Sequence, residues 1–155
     1  MTTDFNIFKN QTFKRICLVI ILLFIYVLIS AVSYAGNVSA DIQNSVFRLH
    51  VIANSDSAQD QNLKYLVRDK LIEYMNSISK DCSSKSDVIT LANEHKQDFY
   101  NIAKNVITEN GYDYDVNINI GNFDFPTKHY GDIALPAGNY DALRVEIGKA
   151  KGQNW

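Results

Sequence analysis

Asp60, Lys64 and Arg68 recur at four-residue intervals, and charges at that spacing share one face of a helix. Two readings stand side by side. One is a solvated row of ion pairs on the outer face, worth a few tenths of a kcal/mol per pair. The other is a recognition surface. Asp56, just upstream, raises the idea of a calcium loop. Such a loop wants glycine at its sixth position and glutamate at its twelfth, whereas counting from Asp56 gives Gln61 and Val67. His50, His95 and His129 are scattered without zinc-ligand spacing, so no metal and no cofactor is expected. Cys82 sits in the polar stretch KDCSSKSD and reads as an incidental exposed thiol. No Gly-rich phosphate loop, HExxH pair or G-x-S-x-G elbow occurs. No catalytic residue is therefore assigned. An exported hydrolase would need carboxylates from separate elements, such as Asp56 and Glu146, to converge as acid and base.

These residues lie beyond an apolar run. Ile16–Val32 carries no charge, follows Lys9, Lys14 and Arg15, and leads into Ser33-Tyr34-Ala35. A basic flank, an apolar stretch and a small-x-small signature form the pattern of a secretory signal. A spanning helix needs about 20 apolar residues, and this run falls slightly short. Residues 1–35 are read as a signal peptide cleaved after Ala35, or else as a retained N-terminal membrane anchor. The basic flank keeps the N-terminus cytoplasmic and sends the rest across.

The exported remainder suits one domain. It carries 12 Lys+Arg against 16 Asp+Glu, a formal net charge of −4. That balance argues against nucleic acid, which demands a basic face. Membrane contact is expected only through the N-terminal segment. With Cys17 in the apolar run, a single cysteine remains, so the fold must hold by its core.

Residues 36–45 are polar and pattern-free, a flexible lead-in. Val46–Ala53 alternates Phe47, Leu49 and Val51 with Arg48 and His50, a half-buried strand. Ser57 with Asp60 gives a helix start. Leu63, Val67, Leu71, Tyr74 and Ile78 then mark an amphipathic helix of about twenty residues. A second helix runs from a Ser84/Asp87 cap to Gly111, with His95 on its apolar stripe as a core or boundary histidine. Tyr112–Ile120 alternates cleanly and is the strongest strand signal. Residues 121–139 read as a turn-rich passage, and Tyr140–Ile147 as a last strand. The β-α-α-β-β order predicts an α+β fold: a small, largely antiparallel sheet with two consecutive helices on one face.

Two passages carry more than a fold: RLHVIANSDSAQDQNLKYLVRD (48–69) and FPTKHYGDIALPAGNYDALRVEIG (125–148). Both resemble the stage II sporulation protein R family, secreted signalling proteins of endospore-forming bacteria. The likeness runs through Ala53-Asn54-Ser55-Asp56-Ser57, Asp60-Gln61, Lys64 and Arg68-Asp69. It continues through Phe125-Pro126-Thr127-Lys128, Tyr130-Gly131, Pro136-Ala137-Gly138 with Tyr140, and Gly152–Asn154-Trp155. Family members continue past this point with a second tryptophan, a cysteine and a Pro-Pro-Leu-Cys segment. Residues 46–155 are therefore expected to be a single signalling domain lacking that tail. The family often carries a basic residue where His50 stands.

The resemblance implies a message rather than an enzyme. The protein would be exported from the forespore into the intermembrane space of the sporulation septum. There it would activate a membrane-embedded aspartic protease of the stage II sporulation protein GA type. That protease processes the mother-cell sigma factor precursor. Candidate partner contacts are Arg48, Asn54, Asp56, Asp60, Lys64, Arg68, Lys128 and Tyr130, because loops and patterned polar faces carry recognition. Pro126, Pro136 and Gly138 are expected to shape the loop. Alternatives are a cell-envelope hydrolase and a tethered structural protein of the envelope.

Overall fold

Burying the alternating apolar positions of three strands requires a cover, and helices supply it. The computed structural model describes residues 11–131 and 133–153. Lys9 of the basic flank, Asp132 and the Asn154-Trp155 pair lie outside them. The chain divides into two units, one ending at Asp41 and the other starting at Ile42.

The first unit holds most of α1 (Gln11–Ser45). The large apolar side chains from Ile16 to Val32 are exposed. Among the described residues, α1 is the one helix long and apolar enough to cross a membrane, which fits a signal peptide or a membrane anchor. The expected lead-in, residues 36–45, differs from its reading: it is helical to Ser45. Its last turn belongs to the second unit, where Ile42 packs beside Phe125, Tyr140 and Ala142. That packing explains why a stretch with no periodicity of its own is ordered.

The second unit continues with β1 (Phe47–Ile52), α2 (Ala58–Ile78), α3 (Lys85–Glu94), α4 (Lys96–Glu109), β2 (Val116–Phe125), β3 (Lys128–Tyr130), β4 (Ile133–Leu135) and β5 (Gly138–Ile147). The main sheet has the order β1-β5-β2, and β3 pairs with β4. The class is α+β, as the pattern predicts. Strand β5 runs antiparallel to β2, with Ile118 opposite Val145. It runs parallel to β1, with Val51 opposite Val145. The parallel pair needs a long connection, which the helices and β2 provide.

Local signals set the helix ends. The Ser57 side chain accepts from the Asp60 N–H to start α2. Ser84 and Asp87 form a reciprocal capping box at α3. Gly111 takes φ +81 after α4, a left-handed stop that disfavours any side chain. The single second helix of the sequence reading is instead two, broken at His95. His95 Nδ1 lies 2.8 Å from both the Tyr74 hydroxyl and Asp98 Oδ2, and that hydroxyl donates to Asp98. These bonds from α2 hold the break while Ala92 and Phe99 both stay buried. The turn-rich passage 121–139 is more ordered than expected. It contains the end of β2 and the β3–β4 ribbon, whose three-residue strands are too short to show alternation.

One face of the sheet carries the main core. Leu63, Val67 and Leu71 of α2 and Phe99, Ala103 and Ile107 of α4 pack on Val51, Ile118, Leu143, Val145 and Ile147. The other face is not bare. Phe125, Tyr140 and Ala142 are buried there in a second, smaller cluster.

Phe99→Ala removes a fully buried ring and is expected to cost about 3–5 kcal/mol in denaturant unfolding. Tyr74→Phe tests the helix break. The bonds from His95 and Tyr74 hold the Asp98 carboxyl below its ordinary range. Its stabilising effect is thus present above the unfolded carboxylate pKa and lost as pH falls through the lower folded value. The penalty of Tyr74→Phe should accordingly shrink in acid, as measured by unfolding at a series of pH values.

Candidate functional site

Strand parity places Arg48 and His50 on the sheet face opposite the main core, because Phe47, Leu49 and Val51 turn inward. That outer face opens into a cleft of about 330 Å³ between β1, α2, the end of β2 and β3. Helix α2 contributes Lys64, Tyr65 and Arg68. Asp124 and Phe125 come from β2, Pro126 follows them, and Lys128 and Tyr130 stand on β3. Among the described residues, four cations therefore meet one carboxylate, Asp124.

Aromatic rings hold three of those cations. The Arg48 guanidinium lies 4.0 Å from the Phe125 ring centre and 4.9 Å from that of Tyr140. Lys64 and Arg68 lie 4.8 and 4.9 Å from the Tyr65 ring centre. Such cation–ring contacts fix orientation and contribute roughly 0.5–1 kcal/mol or more when desolvated. The His50 ring sits 5.1 Å from Phe125. Burial, then the neighbouring Arg144 and Arg48, push its pKa down to about 4, against a smaller opposing pull from Glu146. The imidazole is thus neutral at pH 7. Burial and the charges of Arg68 and Lys128 lower Lys64 as well.

Five of the eight predicted contact residues meet in this cleft: Arg48, Lys64, Arg68, Lys128 and Tyr130. The other three lie at the β1–α2 junction. Asp60 is only 5% exposed. It accepts from Asn54 Nδ2 at 2.9 Å and Ser55 Oγ at 2.5 Å. Burial pushes its carboxyl up, but bonds from Ser55, Asn54, Tyr114 and Ser57 outweigh that and hold it below the usual carboxylate range. Asn54 Oδ1 accepts from the Lys149 N–H, and Asp56 Oδ1 from the Gln153 N–H. This trio pins the chain after β5 to the end of β1.

The solvated ion-pair row is thereby corrected. Asp60 and Lys64 are buried, Lys64 donates to Gln61, and Arg68 pairs with the adjacent Asp69 at 2.7 Å. The cause is the position of the row beside the buried stripe Leu63–Val67–Leu71: Asp60 and Lys64 turn inward, while Arg68 stays exposed. Asp56 and Glu146 also belong to separate networks, since Glu146 pairs with Arg144 at 2.8 Å. Of the loop residues, Pro126 lines the cleft. The Pro136 carbonyl accepts from the Tyr140 hydroxyl at 2.7 Å. Gly138 takes φ +148, and an added Cβ would lie 2.4 Å from Gln43 Nε2.

Sequence reasoning missed His50, Tyr65 and Phe125 as site residues. The signal for His50 was its parity with Arg48. Phe125 looked like core, and nothing local told that its ring would carry Arg48.

Two measurements check this geometry. Unfolded histidine titrates near 6.5 and folded His50 near 4, so the unfolded chain binds the extra proton between those values. Stability contributed by neutral His50 is full above about pH 6.5, falls as pH drops, and is gone near pH 4. His50→Gln should flatten that part of the stability–pH curve. Asn54→Ala strips the buried Asp60 of a donor and frees the Lys149 N–H; about 1–3 kcal/mol of stability should be lost in denaturant unfolding.

Comparison with known proteins follows the same residues. The family model of Stage II sporulation protein R matches residues 43–155, which include the whole cleft and the junction. The Stage II sporulation protein R of Bacillus subtilis (strain 168) is 32% identical over 114 residues, covering 74% of this chain and 51% of that protein. The chain spans about half the length of this curated relative. No solved structure matches. With a family match across every element that builds the cleft, the chain belongs to the stage II sporulation protein R family.

Proposed function

We propose that this chain is an exported sporulation signal that works by binding rather than by turnover. Its receptor is a membrane-embedded aspartic protease of the stage II sporulation protein GA type, and activation leads to processing of the mother-cell sigma factor precursor. The observation that carries the reading is the cleft. Its cations are oriented by aromatic rings on rigid strand and helix positions, which suits recognition. Among the described residues its one lining carboxylate, Asp124, stands with four cations, whereas glycoside hydrolysis uses a pair of carboxylates. Membership of a sporulation family and an apolar N-terminal helix support delivery across the forespore membrane into the septal intermembrane space. The N-terminal segment is either removed there or kept as a tether.

Activation requires tighter binding to the active receptor than to the inactive one, since equal affinity shifts nothing. Lys128 and Arg68 stand at the mouth of the cleft, away from the core, and are the residues to vary. The full chain, the candidate protease and the sigma precursor are expressed together in a non-sporulating host. Precursor cleavage should depend on the chain. Arg68→Ala with Lys128→Ala should reduce it about tenfold, equivalent to about 1.4 kcal/mol of lost differential binding. Cleavage that is indifferent to the chain refutes the activation reading, and cleavage unchanged in the double variant removes the cleft from it.

A further inference from the structure

We propose that the cleft is a carboxylate-binding site, and that its occupant is an acidic side chain of an extended peptide segment on the partner. The inference rests on the cleft being the partner-contact surface and names the chemistry that fills it.

Two enclosed donors carry the argument. Arg48 Nη1 and His50 Nε2 are buried atoms that meet no hydrogen-bond partner among the described residues. Both side chains line the same cleft, two residues apart on one strand face, and both lie against the Phe125 ring. An enclosed, unsatisfied donor is destabilising, the more so when it is charged. A carboxylate that accepts from Arg48 Nη1, and from His50 Nε2 in its Nε2–H tautomer, recovers that cost. A guanidinium held flat on aromatic rings presents its N–H groups in a planar fork, which matches a carboxylate.

The surroundings choose among anions. Lys64, Arg68 and Lys128 ring the cleft, so the field favours a negative ligand although the exported part of the chain is net negative. The two atoms are enclosed, and both side chains belong to the cleft lining. A phosphodiester carries substituents on two sides, and a lipid phosphate would bring its glycerol backbone with it. A side-chain carboxylate ends a slim stem and reaches inward, leaving its own backbone at the mouth. A volume of about 330 Å³ is at the small end for ligand sites and suits one such side chain. Tyr130, 53% exposed at the mouth, offers a ring and a hydroxyl to the flanking peptide.

The test uses the full chain in neutral detergent, with His50 imidazole and Arg48 guanidinium resonances followed by NMR. The probes are acetyl-Gly-Glu-Gly-amide, its Gln counterpart, inorganic phosphate, and phosphatidylglycerol vesicles against phosphatidylcholine vesicles. The Glu peptide should shift both resonances saturably, with the Gln peptide at least about tenfold weaker. Arg48→Gln should abolish the shift at His50. Because that variant also loses ring packing, Lys128→Gln serves as the second: its spectrum should otherwise be unchanged and its affinity reduced several-fold. Equal shifts from the Glu and Gln peptides overturn the proposal. So do tighter binding of inorganic phosphate at the same resonances, or a response to phosphatidylglycerol vesicles and not to the peptide. If the Glu peptide binds but the precursor is not processed, the receptor reading fails and the carboxylate site stands. If processing needs the cleft but the peptide does not bind, the site alone fails.

Discussion

A buried carboxylate must be satisfied or it unfolds its surroundings, and Asp60 is that constraint here. It lies in the first turn of α2 and draws in Asn54 and Ser55 from the end of β1 and Tyr114 from the lead into β2. Asn54 then reaches the chain leaving β5 through the Lys149 N–H. Gly148 belongs to the same closure: it sits at φ +57, where an added Cβ would come 2.4 Å from Asn54 Oδ1. The far side of the junction is closed by backbone bonds from Lys151 and Gly152 to the Asn54 and Ala53 carbonyls. One acid thus ties the first turn of α2 to the end of β1 and, through Asn54, to the chain after β5. Lys64 and Arg68 follow one and two turns later, at the cleft.

The cleft shows how little net charge says about a local surface. Counted as a whole, residues 36–155 are acidic. Tertiary contacts separate the signs. Asp141 pairs with Lys85 at 2.6 Å on the helix face of the sheet, and Glu146 is occupied by Arg144 and Asn117. Arg48, Lys64, Arg68 and Lys128 gather in the cleft with Asp124, Arg68 also pairing with the adjacent Asp69. Their mutual repulsion is offset by the rings of Phe125, Tyr140 and Tyr65 beneath them. This arrangement explains a second apolar cluster on a face that also carries charge: the rings serve as core below and as a seat for cations above.

Binding surfaces built this way are rigid before the partner arrives. Arg48 is fixed by two rings and a strand, and Lys64 by its burial on α2. Little side-chain entropy remains to be lost on association. Under the proposed signalling role, preorganisation converts contact energy into differential affinity rather than spending it on ordering the surface itself.

Residue order alone was enough for everything governed by short range. The apolar run Ile16–Val32, the caps at Ser57 and Ser84, the left-handed stop at Gly111, the strand parity of β1 and the α+β class were all legible, because spacing and side-chain chemistry within a few residues decide them. The passages that carry the family likeness were legible too, and five of the eight predicted contacts lie in the cleft. What depends on distant partners was not legible. The helix break at His95 comes from Tyr74, the order of residues 36–45 from packing of Ile42, and the parallel placement of β1 from the central position of β5. The assignment of Asp60 to the interior and of His50 to the cleft was likewise made by tertiary structure. Burial and pairing are properties of a neighbourhood, and that neighbourhood is assembled from residues up to about a hundred positions apart, as Asn54 and Lys149 are.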